Sequence, residues 1–235
     1  MEILIKEDTS CYASEVQKGV LGDMSGIDVI AKNFFLTGGT ALSVFYFHHR
    51  SSEDIDFFTS NFRELNTVDA TLRRIFKNDI ALIQSSPEFY SYLLKEVKVD
   101  FVFDTLSTIE KRPLVNLEAG NKIFIDTLAN ISSNKLSAIV SRFEAKDIVD
   151  FYFIGKNVWR GSQKIEFLAC YDMAREKEAL LDDPAMAAYQ IEELLNQVLS
   201  EKKKILPLMR EEIDWSSFEK NLRFYIDIIY RMENW

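Results

Sequence analysis

An apolar run, Asn33-Phe34-Phe35-Leu36-Thr37, stops at two adjacent glycines, Gly38 and Gly39, and this break constrains the chain more than any other feature. A run of this composition ending in a glycine pair reads as a short buried strand. Thr40 then precedes Ala41-Leu42-Ser43-Val44-Phe45-Tyr46-Phe47, a segment that reads as a helix entered through a threonine cap. A polar loop, Arg50-Ser51-Ser52-Glu53, leads into Asp54-Ile55-Asp56-Phe57-Phe58. Strand residues two apart share a face and lie about 6.6–6.8 Å apart along the chain. Asp54 and Asp56 therefore point one way from this strand, and Ile55 and Phe57 the other.

Two carboxylates projecting together from an otherwise apolar strand repel each other, and a divalent cation relieves that repulsion. Hard oxygen ligands suit Mg²⁺. A pair of such ions about 3.5–4 Å apart clamps the attacking and leaving oxygens in phosphoryl chemistry. Gly38-Gly39-Thr40 is the complement, because glycines admit a phosphate close to the backbone and a helix start directs free N–H groups at an anion. Taken alone, Gly-Gly-Thr also describes a tight turn with an ordinary cap, and Asp-x-Asp an exposed edge face. Their order, with one helix between them, favours a joint site.

The pattern changes character near Asp126. Before it, short apolar runs alternate with turn residues; after it, helical periodicity dominates. Apolar positions from Phe62 through Leu65, Val68, Leu72 and Ile75 predict a helix. Runs at Ile80–Ile83, Phe89–Leu94 and Val97–Phe103, with short polar connections, predict an antiparallel meander. Gly120-Asn121 marks a turn before Ile123-Phe124-Ile125. Helices are expected near 128–143, 147–154, 165–177, 185–203 and 218–232. Lys202 to Lys204 fit a helix C-terminal turn, where the dipole favours cations. In the strand 97–103, Asp100 falls on the polar face, which suits either solvent or a site on the neighbouring strand.

Lys and Arg number 28 against 37 Asp and Glu, a net charge of −9 that argues against a general nucleic-acid coater. A local basic excess remains between Lys135 and Arg160. The two cysteines, Cys11 and Cys170, lie far apart and outside any zinc spacing, as suits a reducing cytoplasm. The N-terminal MEILIKEDTS has no apolar stretch of signal-peptide length, and no run approaches a membrane span. The two histidines are adjacent, so carboxylates, lysines and glycines are the material for chemistry.

Leu36-Thr37-Gly38-Gly39-Thr40-Ala41-Leu42, then His49-Arg50-x-Ser52-x-Asp54-Ile55-Asp56-Phe57-Phe58, resembles the signature of AbiEii-type nucleotidyltransferases. These are toxin components of bacterial type IV toxin–antitoxin systems, related to the MenT toxins and placed in the DNA polymerase β-like nucleotidyltransferase superfamily. Downstream, Lys98-Val99-Asp100-Phe101 is similar to the strand bearing the superfamily's third carboxylate. Lys135-Leu136-Ser137-Ala138, with Arg142 and Lys146-Asp147-Ile148-Val149-Asp150, is similar to the later motifs.

The resemblance implies an α+β fold, with a nucleotidyltransferase-like mixed sheet and flanking helices over residues 1–126. A helical region, 127–235, follows and is expected to contribute Lys135 to the active cleft. The implied activity is transfer of a nucleotide from an NTP to an acceptor, RNA such as tRNA foremost, with release of pyrophosphate. Mg²⁺ (or Mn²⁺) would sit on Asp54, Asp56 and Asp100. Gly38, Gly39, Thr40, Arg50, Ser52, Lys135 and Arg142 would hold the nucleotide, and Asp147 would belong to the catalytic set, either orienting Lys135 or Arg142 or completing the acidic cluster. Asp150 has a role either there or as a plain ion-pair partner. A cognate antitoxin is an expected partner, and a membrane is not. The alternatives are nucleotidylation of a small molecule, and a non-enzymatic nucleotide- or partner-binding module on the same fold.

Overall fold

The structure is a computed structural model and describes residues 5–107, 111–159, 163–205 and 208–232. It divides into two compact units, Met1–Thr127 and Leu128–Trp235. Among the described residues, no helix is long and apolar enough to cross a membrane.

The first unit opens with helices α1 (Glu15–Ser25) and α2 (Asp28–Asn33). The Ser14 side chain caps α1 by accepting the Gln17 N–H at 3.1 Å, and Val20, Leu21 and Met24 form its buried stripe. Neither helix stands out in the sequence, because Gly19 and Gly22 interrupt α1 and α2 has fewer than two turns. Strand β1 (Phe35–Thr37) follows, then α3 (Gly38–Ala41), which continues as a wider π-type coil over Leu42–Phe47. The helix begins two residues before the expected threonine cap, so Thr40 lies inside its first turn. The coil ends at His48, whose φ of 58° is left-handed.

Strand β2 (Ile55–Thr59), helix α4 (Phe62–Phe76) and strands β3 (Ile80–Ser86), β4 (Phe89–Leu94) and β5 (Val97–Phe103) come next, then β6 (Leu114–Asn116) and β7 (Lys122–Ile125). The Asn61 side chain caps α4 by accepting the Arg63 N–H at 3.1 Å, and Leu65, Val68 and Leu72 are buried, as the helical spacing predicts. All seven strands form one mixed sheet in the order β3-β4-β5-β2-β1-β7-β6. The expected meander is present: β3, β4 and β5 pair antiparallel. Lys95 and Glu96 form the two-residue turn between β4 and β5, with φ of 49° and 68°. Positive φ at both positions is the primed turn whose twist matches a hairpin.

At the centre of the sheet β2 lies antiparallel to β1 and parallel to β5. Phe57 is level with Phe101, and their rings stack at 5.2 Å. Phe34 and Tyr92 meet Phe101 edge-on at 5.4 and 6.2 Å, which closes an aromatic core on that side of the sheet.

The second unit is helical: α5 (Leu128–Ser141), α6 (Ala145–Asn157), α7 (Gln163–Arg175), α8 (Pro184–Ser200), α9 (Lys202–Ile205) and α10 (Trp215–Met232). Asp183 caps α8 by accepting the Met186 N–H at 3.0 Å, with Pro184 in its first turn. The lysine run does not close α8. That helix stops at Ser200, Glu201 leaves the helical conformation, and Lys202 starts the separate α9. The core is aromatic here too. Tyr225 stacks on Phe167 at 4.7 Å and meets Phe151 and Trp159 edge-on at 5.8 and 5.5 Å.

The Tyr225 hydroxyl is buried without a hydrogen-bond partner among the described residues, and it fills the space where a Cβ on Gly155 would stand. Gly155→Ala is therefore expected to destabilise the second unit by about 1–3 kcal/mol. Tyr225→Phe removes the unpaired hydroxyl, leaves stability unchanged or raised, and recovers part of the loss in the double variant. Urea unfolding of the three variants measures this, and a Gly155→Ala protein as stable as wild type refutes it.

Candidate active site

The candidate residues of the first unit gather where β1 ends. Thr37 is level with Asp56 on β2, and the chain then turns at Gly38 with a φ of +69°. A side chain there would be strained, and its Cβ would run into the Asp56 carboxylate. A Cβ on Gly39 would strike the Arg50 guanidinium and come within 2.9 Å of the Ser52 hydroxyl. The side-chain-free surface of both glycines is thus occupied by Asp56, Arg50 and Ser52. Sequence reasoning brings a phosphate to this turn, and the structure sets Asp56 and the folded-back loop 50–52 beside it.

Thr40 is fully buried, and its hydroxyl donates to the backbone carbonyl of Asp54. This bond ties the first turn of α3 to the residue that enters β2, so the hydroxyl positions Asp54 in place of capping the helix. Arg50 is buried and donates from Nη1 to the Ser51 carbonyl at 2.8 Å. Ser52 is held from the other side: its carbonyl accepts Gln17 Nε2 at 2.7 Å, and its backbone bridges to Tyr12.

Asp56 is level with Asp100 in the parallel β2–β5 ladder, one residue before the level pair Phe57 and Phe101. The alternation that puts the two phenylalanines in the core therefore puts both carboxylates on the opposite face. Strands lie about 4.8 Å apart. Two carboxylates at about 5 Å repel by about 3 kcal/mol at an effective dielectric near 20. Asp100 is buried, which sets aside a solvated strand face for it. It accepts Ser91 Oγ and Lys98 Nζ, each at 2.6 Å. Burial works against the charge of Lys98, but the hydrogen bond and field of Asp100, and the fields of Asp54 and Asp56, hold its pKa above the ordinary value. Three carboxylates thus act on one ammonium, and their face of the sheet is built to hold positive charge.

Ser91 and Lys98 are the site residues that sequence reasoning misses. Lys98 carries a signal, since it lies two residues before Asp100 and shares its face. Ser91 carries none, because only the β4–β5 register places it beside Asp100. Asp126 is a third. Its carboxylate accepts the Thr37 hydroxyl at 2.7 Å and faces Arg112 Nε at 3.4 Å, while its carbonyl accepts the Tyr46 hydroxyl at 2.6 Å.

In the second unit α5 buries polar residues: Asn130, Ser132, Ser133 and Lys135. Ser133 returns its hydroxyl to the Asn130 carbonyl at 2.8 Å, which satisfies it locally. Lys135 lies 2.7 Å from Asp147 and 2.7 Å from Asp150, both fully buried on α6. Arg142 grips both Asp147 oxygens at 2.7 Å through Nε and Nη2. Lys135 is therefore drawn into a buried ion-pair cluster, and Arg142 reaches it from the surface with its side chain half-exposed. Asp147 engages Lys135 and Arg142 together, and Asp150 engages Lys135. Arg160, the far end of the basic stretch, lies outside the described residues.

The family model "Nucleotidyl transferase AbiEii toxin, Type IV TA system" matches residues 24–228. An uncharacterized protein of Aquifex aeolicus is 32% identical over 126 residues, a match covering 53% of this chain and 59% of that protein. The crystal structure of JHP933 from Helicobacter pylori is similar with a TM-score of 0.54 at 19% identity, covering 94% of each chain. MenT4, a nucleotidyltransferase toxin of Mycobacterium tuberculosis, is similar with a TM-score of 0.53 at 11% identity, over 92% of this chain and 85% of that one. At these identities the two structures speak for the fold.

The Asp147 cluster sets an acid dependence. Burial raises the pKa of Asp147, but the Lys135 charge and the Arg142 fork outweigh it and hold the carboxyl below its ordinary value. A depressed carboxyl stabilises the folded state above its unfolded pKa of about 3.9 and loses that contribution as pH falls through the folded value. Asp147→Asn leaves two cations short of their partner and is expected to lose about 3–5 kcal/mol near neutral pH. The gap to wild type should shrink as the pH falls below about 4. Urea unfolding across this range checks it, and a pH-independent gap refutes the assignment.

Proposed function

Starting from the AbiEii nucleotidyl transferase toxin family, to which this chain belongs, we propose that this nucleotidyltransferase transfers a nucleotide from an NTP to an RNA end, with tRNA as the leading acceptor. The observation that carries the reading is the level pairing of Asp56 with Asp100 beside the Gly38 turn. Three carboxylates offer hard oxygen donors on a face that already holds an ammonium, which fits Mg²⁺ or Mn²⁺. Asp54, Asp56 and Asp100 would hold the ion, which when bound supplies charge neutralisation of the triphosphate.

The acceptor hydroxyl oxygen forms a bond to the α-phosphorus of the NTP. The bond from that phosphorus to the oxygen bridging the β-phosphorus breaks, and pyrophosphate leaves. Asp100 takes the hydroxyl proton, with Ser91 and Lys98 fixing the orientation of its carboxylate. The Gly38-Gly39 turn and Arg50 meet the phosphates, with Ser52 holding the loop. In the second unit, Asp147 is placed to orient Lys135 and Arg142. The net charge of −9 makes RNA binding depend on a local patch and on bound cations. The type IV toxin assignment also supports a cognate antitoxin as partner.

Each labelled NTP incubated with total RNA and Mg²⁺ tests the reading. Wild type is expected to label RNA and release pyrophosphate. Asp56→Asn should lose about 10²–10³-fold or more of that rate and keep a wild-type melting temperature. Calorimetry should show metal-dependent NTP binding in wild type and none in Asp54→Asn. Full transfer by Asp56→Asn would move the active site elsewhere. Labelling of small hydroxylated compounds in place of RNA would establish the small-molecule alternative.

A further inference from the structure

Away from the carboxylate face, the first unit brings together three metal-ligating side chains of different chemistry. One ligand atom each from Asp8, Cys11 and His48 lie within 4.8 Å of one another. We propose that these residues form a binding site for a divalent transition metal of zinc type, separate from the ion of the nucleotidyl-transfer site.

The ligands stand on backbone already fixed. The Asp8 N–H donates to the Val44 carbonyl at 2.8 Å, and the Cys11 N–H donates to the Asp8 carbonyl at 3.0 Å, so the first two ligands occupy one turn anchored on the π-type coil. His48 closes that coil in a left-handed conformation, uncommon for a residue with a Cβ. The conformation directs its ring to the Asp8 side, where Nδ1 lies 3.9 Å from Asp8 Oδ2. Asp8 Oδ1 accepts both the N–H and the hydroxyl of Ser10, at 2.9 and 2.7 Å, which orients the carboxylate.

A four-coordinate Zn²⁺ with bonds of about 2.0–2.3 Å has ligand atoms about 3.3–3.7 Å apart. Closing from 4.8 Å needs a shift of about 1 Å at Asp8 and His48, whose side chains are half-exposed; His48 Nδ1 lies 3.2 Å from the Ser43 carbonyl and gives up that contact if it is the atom that takes the ion. Cys11 is buried, so it stays in place. One thiolate, one imidazole and one carboxylate select Zn²⁺ over Mg²⁺ or Ca²⁺, with water completing the tetrahedron. Binding displaces the Cys11 thiol proton to solvent. The ion would clamp the segment 8–11 to the end of the coil. That clamp extends to the loop bearing Arg50 and Ser52 through the Tyr12–Ser52 bridge.

Co²⁺ titration of the full chain after chelator treatment tests the site, since a thiolate ligand gives a near-ultraviolet charge-transfer band and tetrahedral Co²⁺ intense visible bands. One equivalent is expected to bind, to raise the melting temperature, and to be displaced by Zn²⁺. Cys11→Ser should abolish the charge-transfer band, Cys170→Ala should keep it, and Asp8→Ala or His48→Gln should weaken Co²⁺ binding by at least about tenfold. Should Cys11→Ser fail to fold, the half-exposed His48→Gln decides the matter. A wild type without a charge-transfer band, a band retained in Cys11→Ser, or His48→Gln binding as wild type would each overturn the proposal. Asp54→Asn keeps this site, so its failure and that of the nucleotidyl-transfer reading are separately visible.

Discussion

The first unit depends on the register between two parallel strands. With Phe57 level with Phe101, the stacked rings complete the aromatic core on one side of the sheet, and Asp56 stands level with Asp100 on the other. Side chains alternate strictly along a strand, so these are one constraint and not two. A slip of one residue would turn phenylalanines toward the carboxylate face and drive carboxylates into the core. Burial of large aromatic surface thereby fixes a pair of like charges that would otherwise separate. Lys98 and Ser91 moderate the repulsion, and the Gly38 turn gives the Asp56 carboxylate a place to stand.

Much of this was legible in the sequence because its signals are local. The glycine pair, the Asp-x-Asp alternation and the three runs of the meander each follow from residues within a few positions of one another. What escaped depended on contacts distant in the chain. Helices α1 and α2 have short stripes and interrupting glycines, and they are stabilised by packing and not by propensity. Thr40 has the chemistry of a cap, but the returning strand offers its hydroxyl the Asp54 carbonyl, and the helix starts earlier. Ser91 becomes a partner of Asp100 only through the hairpin register. Lys135 and Arg142 lie seven residues apart on one helical face, and the resemblance pairs Asp147 with one or the other; only the packing of α6 shows Asp147 engaging both and Asp150 engaging Lys135.

The second unit handles charge differently. Lys135, Arg142, Asp147 and Asp150 balance as two cations and two anions, and the two carboxylates are fully buried. Such a cluster adds little net stability over an apolar packing, yet removing any member leaves an uncompensated charge. It therefore specifies how α5 meets α6 more than it strengthens their contact. Lys177 repeats the theme with neutral partners, donating to Asn130, Ser133 and Asn134 at 2.6–2.8 Å. Both lysines are held rigid, and their ammonium groups have set positions.

The two-residue turn at Lys95 and Glu96 has a reach beyond its size. Both residues adopt the left-handed conformation without being glycine or asparagine, so the turn is kept despite local strain. Its length sets which β4 residue lies across from Asp100. Asparagine and glycine here would relax the backbone at the loss of the 3.0 Å Lys95–Asp23 ion pair and keep the register, whereas one inserted residue would threaten the alignment of Ser91. Along a lineage, the spelling of this turn is free to drift while its length is held, so insertions and deletions are expected to accumulate in other loops.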